Sequence, residues 1–328
     1  MKLALKVGVF AALATLATLG TTAHAQWPGL NNYVLVGSYA LPTLSPSTPT
    51  GTPAPFEASA VTWNKDTNTL FMLGDGGGFI MQTTLNGTPI DFMKLPAGSS
   101  PQGNEFYDPE GLAYIGGGQF VMTEERYRTA VQFSYVGGST LQRAQTQTVK
   151  LGTTVGNTGL EGITADPVTG GYILVNQRSG TGAGQNIFQT QIDFAVGTAS
   201  NGSATTANSS SLFPVANIGY ADLSDVFALA NVYGSAVGGF NNVLVMTTTG
   251  VKEMTRAGAV VSSLGLVPTY QFEGMTMDAS GNLYGVSDNG DNTALSGLFV
   301  YAPVPEPGTV LLMTGGLLAI ALRRRKQG

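Results

Sequence analysis

Three glutamates stand out by spacing. Glu110, Glu161 and Glu273 each open the same short pattern, Glu-Gly-aliphatic, in Glu110-Gly111-Leu112, Glu161-Gly162-Ile163 and Glu273-Gly274-Met275. Downstream of these starts, and of a related Ser59-Ala60-Val61, lie further polar groups at strand-like distances: Asp75, Glu124 and Glu125, Asn176 and Gln177, and Asp288. If each start opens one strand and each later group ends the next, antiparallel pairing sets them side by side. Glu110 is then expected near Glu124 and Glu125, Glu161 near Asn176 and Gln177, Glu273 near Asp288, and Ser59 near Asp75. Convergent carboxylates raise one another's pKa unless a cation compensates, and Arg126 and Arg178 lie within reach along the chain.

Two uses of such a ring stay open. Asp75, Glu110, Glu125, Glu161, Glu273 and Asp288 could form an axial site for Ca²⁺ or Mg²⁺, with Glu110, Glu161 and Glu273 as the metal ligands, or for a cationic or polyhydroxylated ligand. Alternatively, each glutamate accepts backbone N–H groups from the neighbouring repeat and only fastens the ring. Asp288-Asn289-Gly290-Asp291-Asn292 has the composition of a calcium loop but not its register, and reads as a polar turn. Gly74-Asp75-Gly76-Gly77-Gly78 has no Lys-Ser/Thr behind it, and reads as a tight turn rather than a phosphate loop.

The elements that must position these residues repeat. Ser59, Glu110, Glu161, Ser224 and Glu273 open five aligned segments whose starts are 51, 51, 63 and 49 residues apart. The long interval contains Gly197 to Ser211, a Ser/Thr/Asn/Gly/Ala run that reads as a solvated loop. Most starts are followed by an Asp-rich turn and a second apolar strand, such as Leu70–Leu73, Phe120–Thr123, Tyr172–Val175 or Leu283–Val286. Repeats of about 50 residues built from short strands and Gly-rich turns predict an all-β β-propeller. Five repeats predict five four-stranded blades. A sixth, degenerate blade in residues 178–222 or split between the ends is the alternative. Tyr33 to Ala40 is an extra strand placed to close the ring in the last blade.

The ends carry different information. Lys2 and Lys6, the apolar run Val7 to Leu19 and Ala23-His24-Ala25 form a secretory signal helix with cleavage after Ala25. At the other end, Val304-Pro305-Glu306-Pro307 precedes a short hydrophobic helix from Val310 to Leu322 and a basic Arg323-Arg324-Arg325-Lys326. The expected layout is therefore 1–25 signal peptide, 26–56 strand and Pro/Ser/Thr-rich connection, 57–302 propeller and 303–328 tail. The expected partners are the Sec machinery, signal peptidase and the membrane itself, contacted transiently through the tail.

Composition excludes much. His24, in the signal segment, is the sole histidine, and the 328 residues include no cysteine. The mature part has no imidazole or thiol for a catalytic triad, a nucleophilic cysteine or a zinc site. Six of the 15 basic and one of the 20 acidic residues lie in the end segments, leaving nine against nineteen, or −10. Such an acidic module is a poor nucleic-acid binder.

With those residues in view, positions 33–301 resemble the SdiA-regulated, YjiK-like family of bacterial propellers. The resemblance rests on Asp108-Pro109-Glu110-Gly111-Leu112-Ala113-Tyr114 with Phe120-Val121-Met122-Thr123-Glu124-Glu125-Arg126, on Gly159-Leu160-Glu161-Gly162-Ile163, and on Phe272-Glu273-Gly274-Met275-Thr276-Met277-Asp278. Ser224-Asp225 departs from it, and the strand that follows, Val243–Met246, comes late. Glu-Gly-aliphatic starts also occur in esterase-like phytase propellers. The resemblance implies a fold and little function. The C-terminal segment resembles a PEP-CTERM sorting signal, which implies processing by an exosortase, export to the cell envelope or surface, and an exopolysaccharide or biofilm setting. Two functions follow as expectations: a non-catalytic surface protein binding a ligand or partner, extracellular polysaccharide among the candidates, or a calcium-dependent hydrolase of the esterase, lactonase or phytase kind.

Overall fold

Short runs of Val, Ile, Leu, Met and Phe, each ended by Gly, Asp or Asn, leave the backbone little choice but strand and tight turn. In the computed structural model these runs form antiparallel sheets arranged as a five-bladed β-propeller. The structure describes residues 27–44, 54–55, 57–74, 78–96, 98, 105–156, 158–177, 187–200, 211–219, 222–234, 240–288 and 296–304. The predicted signal helix with Ala25, the sorting residues Pro305, Glu306 and Pro307 with the helix after them, and Asp75 and Arg178 lie outside the described residues.

Blade 1 comprises Ala58–Asn64, Thr69–Gly74, Phe79–Thr83 and Pro89–Lys94, from the axis outward. Blade 2 comprises Pro109–Gly116, Gln119–Glu124, Thr129–Ser134 and Gln147–Lys150. Blade 4 follows the same plan, with Asp225–Ala228, Val243–Thr247, Gly250–Met254 and Val260–Gly265. The late strand of this repeat has a simple cause: a one-turn helix, Ala230–Tyr233, follows the inner strand.

Among the described residues, the sheet of blade 3 has three strands, Leu160–Asp166, Gly171–Asn176 and Ile187–Thr190. The chain then makes a small separate ribbon, Ile192–Asp193 with Thr198–Ala199, and returns through a single bridge between Phe188 and Ser211. The polar run at 197–211 lacks the apolar alternation that a fourth strand needs. Among the described residues there is no sixth blade.

Blade 5 is assembled from both ends of the module. Gln271–Met277, Leu283–Asp288 and Gly297–Pro303 pair in order, and Tyr33–Ala40 adds as the outermost strand, with Tyr33 opposite Pro303 and Ala40 opposite Gly297. The inner strands touch around a closed circuit, blade 5 meeting blade 1. Five buried apolar clusters sit between the blades. One, for example, joins Leu112 and Phe120 of blade 2 to Phe71 and Ile80 of blade 1, and another joins Phe227 and Met246 of blade 4 to Phe272 and Phe299 of blade 5. A single blade has two apolar faces, and only a ring covers both.

Candidate functional site

The repeated start of the inner strand is a β-bulge in blades 1, 2, 3 and 5, while blade 4 pairs without one. Register shifts fall between Ala58 and Ala60, Pro109 and Leu112, Leu160 and Gly162, and Phe272 and Gly274. Ser59, Glu110, Glu161 and Glu273 are thus the extra residues, released from regular pairing and re-aimed, as bulges do. The following glycine has a separate task. A Cβ on Gly274 would lie 2.7 Å from the Ala60 Cα and 2.8 Å from the Val61 nitrogen, so no side chain fits where blade 5 meets blade 1.

Glu161 is 8% exposed. Its electrostatic neighbours are Glu110 and Glu125 of blade 2 and Glu273 of blade 5. Blades 3 and 5 do not adjoin, so the charge of Glu273 acts on Glu161 across the axis. Asp108, Glu110 and Glu125 present carboxylate oxygens all within 4.8 Å of one another. Asp108, at the head of the blade 2 inner strand, holds a left-handed backbone (φ 56°), which its short polar side chain tolerates. Its carbonyl accepts the Glu125 N–H at 2.8 Å, locking the two carboxylates together.

Glu125 accepts the Gly159 N–H at 3.0 Å, yet burial and a hydrogen bond with Asp108 push its carboxyl up to about 7. Burial pushes Glu161 well above the usual carboxylate range, reinforced by the charges of Glu110, Glu125 and Glu273, and it shares a hydrogen bond with Glu125. Arg126 ion-pairs with Asp108 and stands 3.6 Å from Glu125. Beside the Arg126 guanidinium, the raised carboxyls of Glu125 and Glu161 hold protons that offset part of the negative charge at the mouth. The donors are all oxygen, which suits a hard dication such as Ca²⁺.

Other expected neighbours sort differently. Glu124 turns to the opposite side from Glu125 and takes both Arg143 nitrogens and the Thr129 hydroxyl. Asp288 pairs in register with Gln271, and its charge, after burial, raises Glu57. Leu160, next to Glu161, lies opposite Asn176, while the Gln177 N–H donates to Gly159. Asp108, quoted in the motif, was not among the expected site residues; the Asp-Pro before Glu110-Gly111 is the signal that marks it.

The fastening of the ring is done largely by residues that the sequence pattern showed without assigning them. Thr62, Thr164 and Thr276 hold the fourth position of their segments, and their hydroxyls accept the N–H groups of Tyr114, Ala228 and Trp63 in the next blade, at 3.0, 3.3 and 3.0 Å. In the fourth repeat, buried Asp225 accepts the Met275 N–H at 2.7 Å and its neighbour Val226's N–H.

Toward the other end of the inner strands lies a cavity of about 430 Å³, lined among others by Trp63, Lys65, Tyr114, Tyr172, Phe227 and Asn231. It lies beyond the carboxylate mouth, on the far side of the apolar residues Leu112, Ile163 and Met275.

A family match to SdiA-regulated proteins runs over residues 52–290, most of the chain. The chain belongs to the SdiA-regulated family. A second match, to the PEP-CTERM protein-sorting motif, covers residues 303–326, so this SdiA-regulated protein carries an exosortase sorting signal and is an exported protein of the cell envelope. Among solved structures, Myxococcus xanthus glutaminyl cyclase is 11% identical, with 83% of this chain and 97% of that one covered and a TM-score of 0.46. A luciferin-regenerating enzyme is 10% identical over 83% and 96% of the two chains, with a TM-score of 0.44. Virginiamycin B lyase from Staphylococcus aureus is 13% identical over 84% and 75%, with a TM-score of 0.38.

Proposed function

We propose that this SdiA-regulated propeller is a non-catalytic binding protein of the cell surface, and that Asp108, Glu110, Glu125 and Glu161 hold a divalent cation, calcium first, at the axial mouth. Glu161 carries the reading. A carboxylate nine-tenths buried whose charged neighbours are three other carboxylates is costly to ionise, and a dication offsets that cost. The bound ion would in turn present a positive centre to an anionic or polyhydroxylated surface ligand, extracellular polysaccharide being the class expected at this location.

Calorimetry with CaCl₂ and MgCl₂ on the purified chain tests it, paired with thermal unfolding. Saturable binding and a rise in Tm are expected, about 2.7 kcal/mol of stabilisation at a hundredfold excess over Kd. Glu161→Gln should stay folded and bind calcium at least tenfold more weakly. No heat and no Tm shift with either ion would sink the proposal. If, in addition, Glu161→Gln unfolds, the glutamates serve to fasten the ring.

One observation favours a second reading. A carboxyl raised to about 7, as in Glu125, is matched to general-base work at neutral pH. A calcium-dependent hydrolase would then turn over some member of an ester, lactone and phosphoester panel, and Glu125→Gln would abolish that turnover. Absence of turnover across the panel leaves the binding role.

A further inference from the structure

The cavity at the opposite end of the axis belongs to none of this. Its volume, about 430 Å³, falls within the roughly 300–1,000 Å³ typical of small-molecule sites. Four aromatic residues from four of the blades contribute to its wall: Trp63, Tyr114, Tyr172 and Phe227.

The polar groups on that wall divide into two sets. Thr62, Thr164 and Thr276 already accept N–H groups between blades, the Asn231 amide donates to the Thr164 hydroxyl and the Ala165 carbonyl, and Asp166 takes two nitrogens of Arg256. Lys65 and Tyr172 form the other set. Among the described residues, neither the Lys65 ammonium nor the Tyr172 hydroxyl has a hydrogen-bond or ion-pair partner. Both stand at the cavity, Lys65 exposed and Tyr172 half-buried.

Aromatic faces beside unengaged hydrogen-bonding groups suit a ligand with apolar C–H faces and a polar rim. A purely aromatic ligand would cover the Tyr172 hydroxyl without pairing it, at the cost of a buried unsatisfied polar group. We infer that this cavity binds a single sugar unit, stacked on the aromatic wall, with its oxygens hydrogen-bonded to Lys65 and Tyr172. The site is independent of the cation mouth and takes its ligand with or without calcium.

Trp27 and Trp63 are the only tryptophans, and Trp27 packs on Tyr33 and Tyr233, so emission from a Trp27→Phe chain reports Trp63 alone. Titration of that chain with D-glucose, D-glucuronate and toluene, each with and without EDTA, is the test. A saturable change is expected with a sugar and none with toluene. The glucose and glucuronate arms show whether the bound sugar is neutral or acidic. Lys65→Met with Tyr172→Phe, both conservative in shape, should weaken sugar binding at least tenfold while the far-ultraviolet spectrum and Tm stay unchanged. No saturable change with either sugar, equal binding of toluene, or binding unaltered in the double variant would each overturn the inference.

Discussion

Glu125 and Glu161 sit at the point where burial and like charge act together, and their behaviour with pH follows. Both carboxyls are raised in the folded chain, Glu125 to about 7 against an ordinary value of 4.5. The folded state therefore keeps protons that the unfolded chain releases. Its advantage is complete below about pH 4.5 and is lost as pH rises through the raised folded values, about 7 for Glu125. In EDTA, Tm should fall between pH 5 and pH 8, with the Glu161→Gln variant falling less. Calcium should restore most of the loss at pH 8, because the ionised carboxylates are then its ligands. A Tm that is flat over this range in EDTA would mean the pair is not strained by its charge. How much of this was legible beforehand is instructive. The spacing of Glu110, Glu161 and Glu273 named the ring. The hydrogen bond between Glu125 and Glu161, and the part of Asp108, depend on bulges and a left-handed residue that no strand periodicity shows.

At the level of the inner strands, three of the fastening groups are small and neutral. Thr62, Thr164 and Thr276 offer a hydroxyl to the next blade without the desolvation cost of a charge. Asp225 does this work in the fourth repeat, and burial pushes its carboxyl well above the usual range despite two N–H donors. Asp225→Ala should cost about 1–3 kcal/mol, the price of orphaning the Met275 N–H in a dry seam. Asp225→Asn, which keeps an acceptor, should cost less. Urea unfolding with an unchanged slope and a shifted midpoint would show it; equal midpoints for wild type and Asp225→Ala would remove the stapling role. The threonines were visible in the alignment as a repeated fourth residue, but nothing in a sequence says which hydroxyl lies 3.0 Å from a neighbour's backbone. The third blade was half legible: the polar run at 197–211 read as a loop, while the three-stranded sheet among the described residues and the Phe188–Ser211 bridge depended on where the chain came back.

For the whole molecule, the repeat period was enough to predict a propeller and five blades, because only a ring hides both faces of each sheet. Closure depends on a strand outside the repeats. Leu30 and Tyr33 are buried against blades 4 and 5, and the Tyr33 hydroxyl donates to the Gly281 carbonyl. Removing residues 27–40 should strip the outer strand from blade 5, bare the edge of Gly297–Pro303 and leave a chain that aggregates or unfolds without cooperativity. A deletion variant that remains monomeric with an unaltered Tm would show that the ring holds without it. The same pairing has a consequence in time. Tyr33–Ala40 is among the first segments of the module to be made, and Gly297–Pro303, its partner, is the last. The ring therefore latches only after the residues bordering the sorting motif have been made. A chain cut short before them would keep an open edge, and limited proteolysis of such truncations should find it.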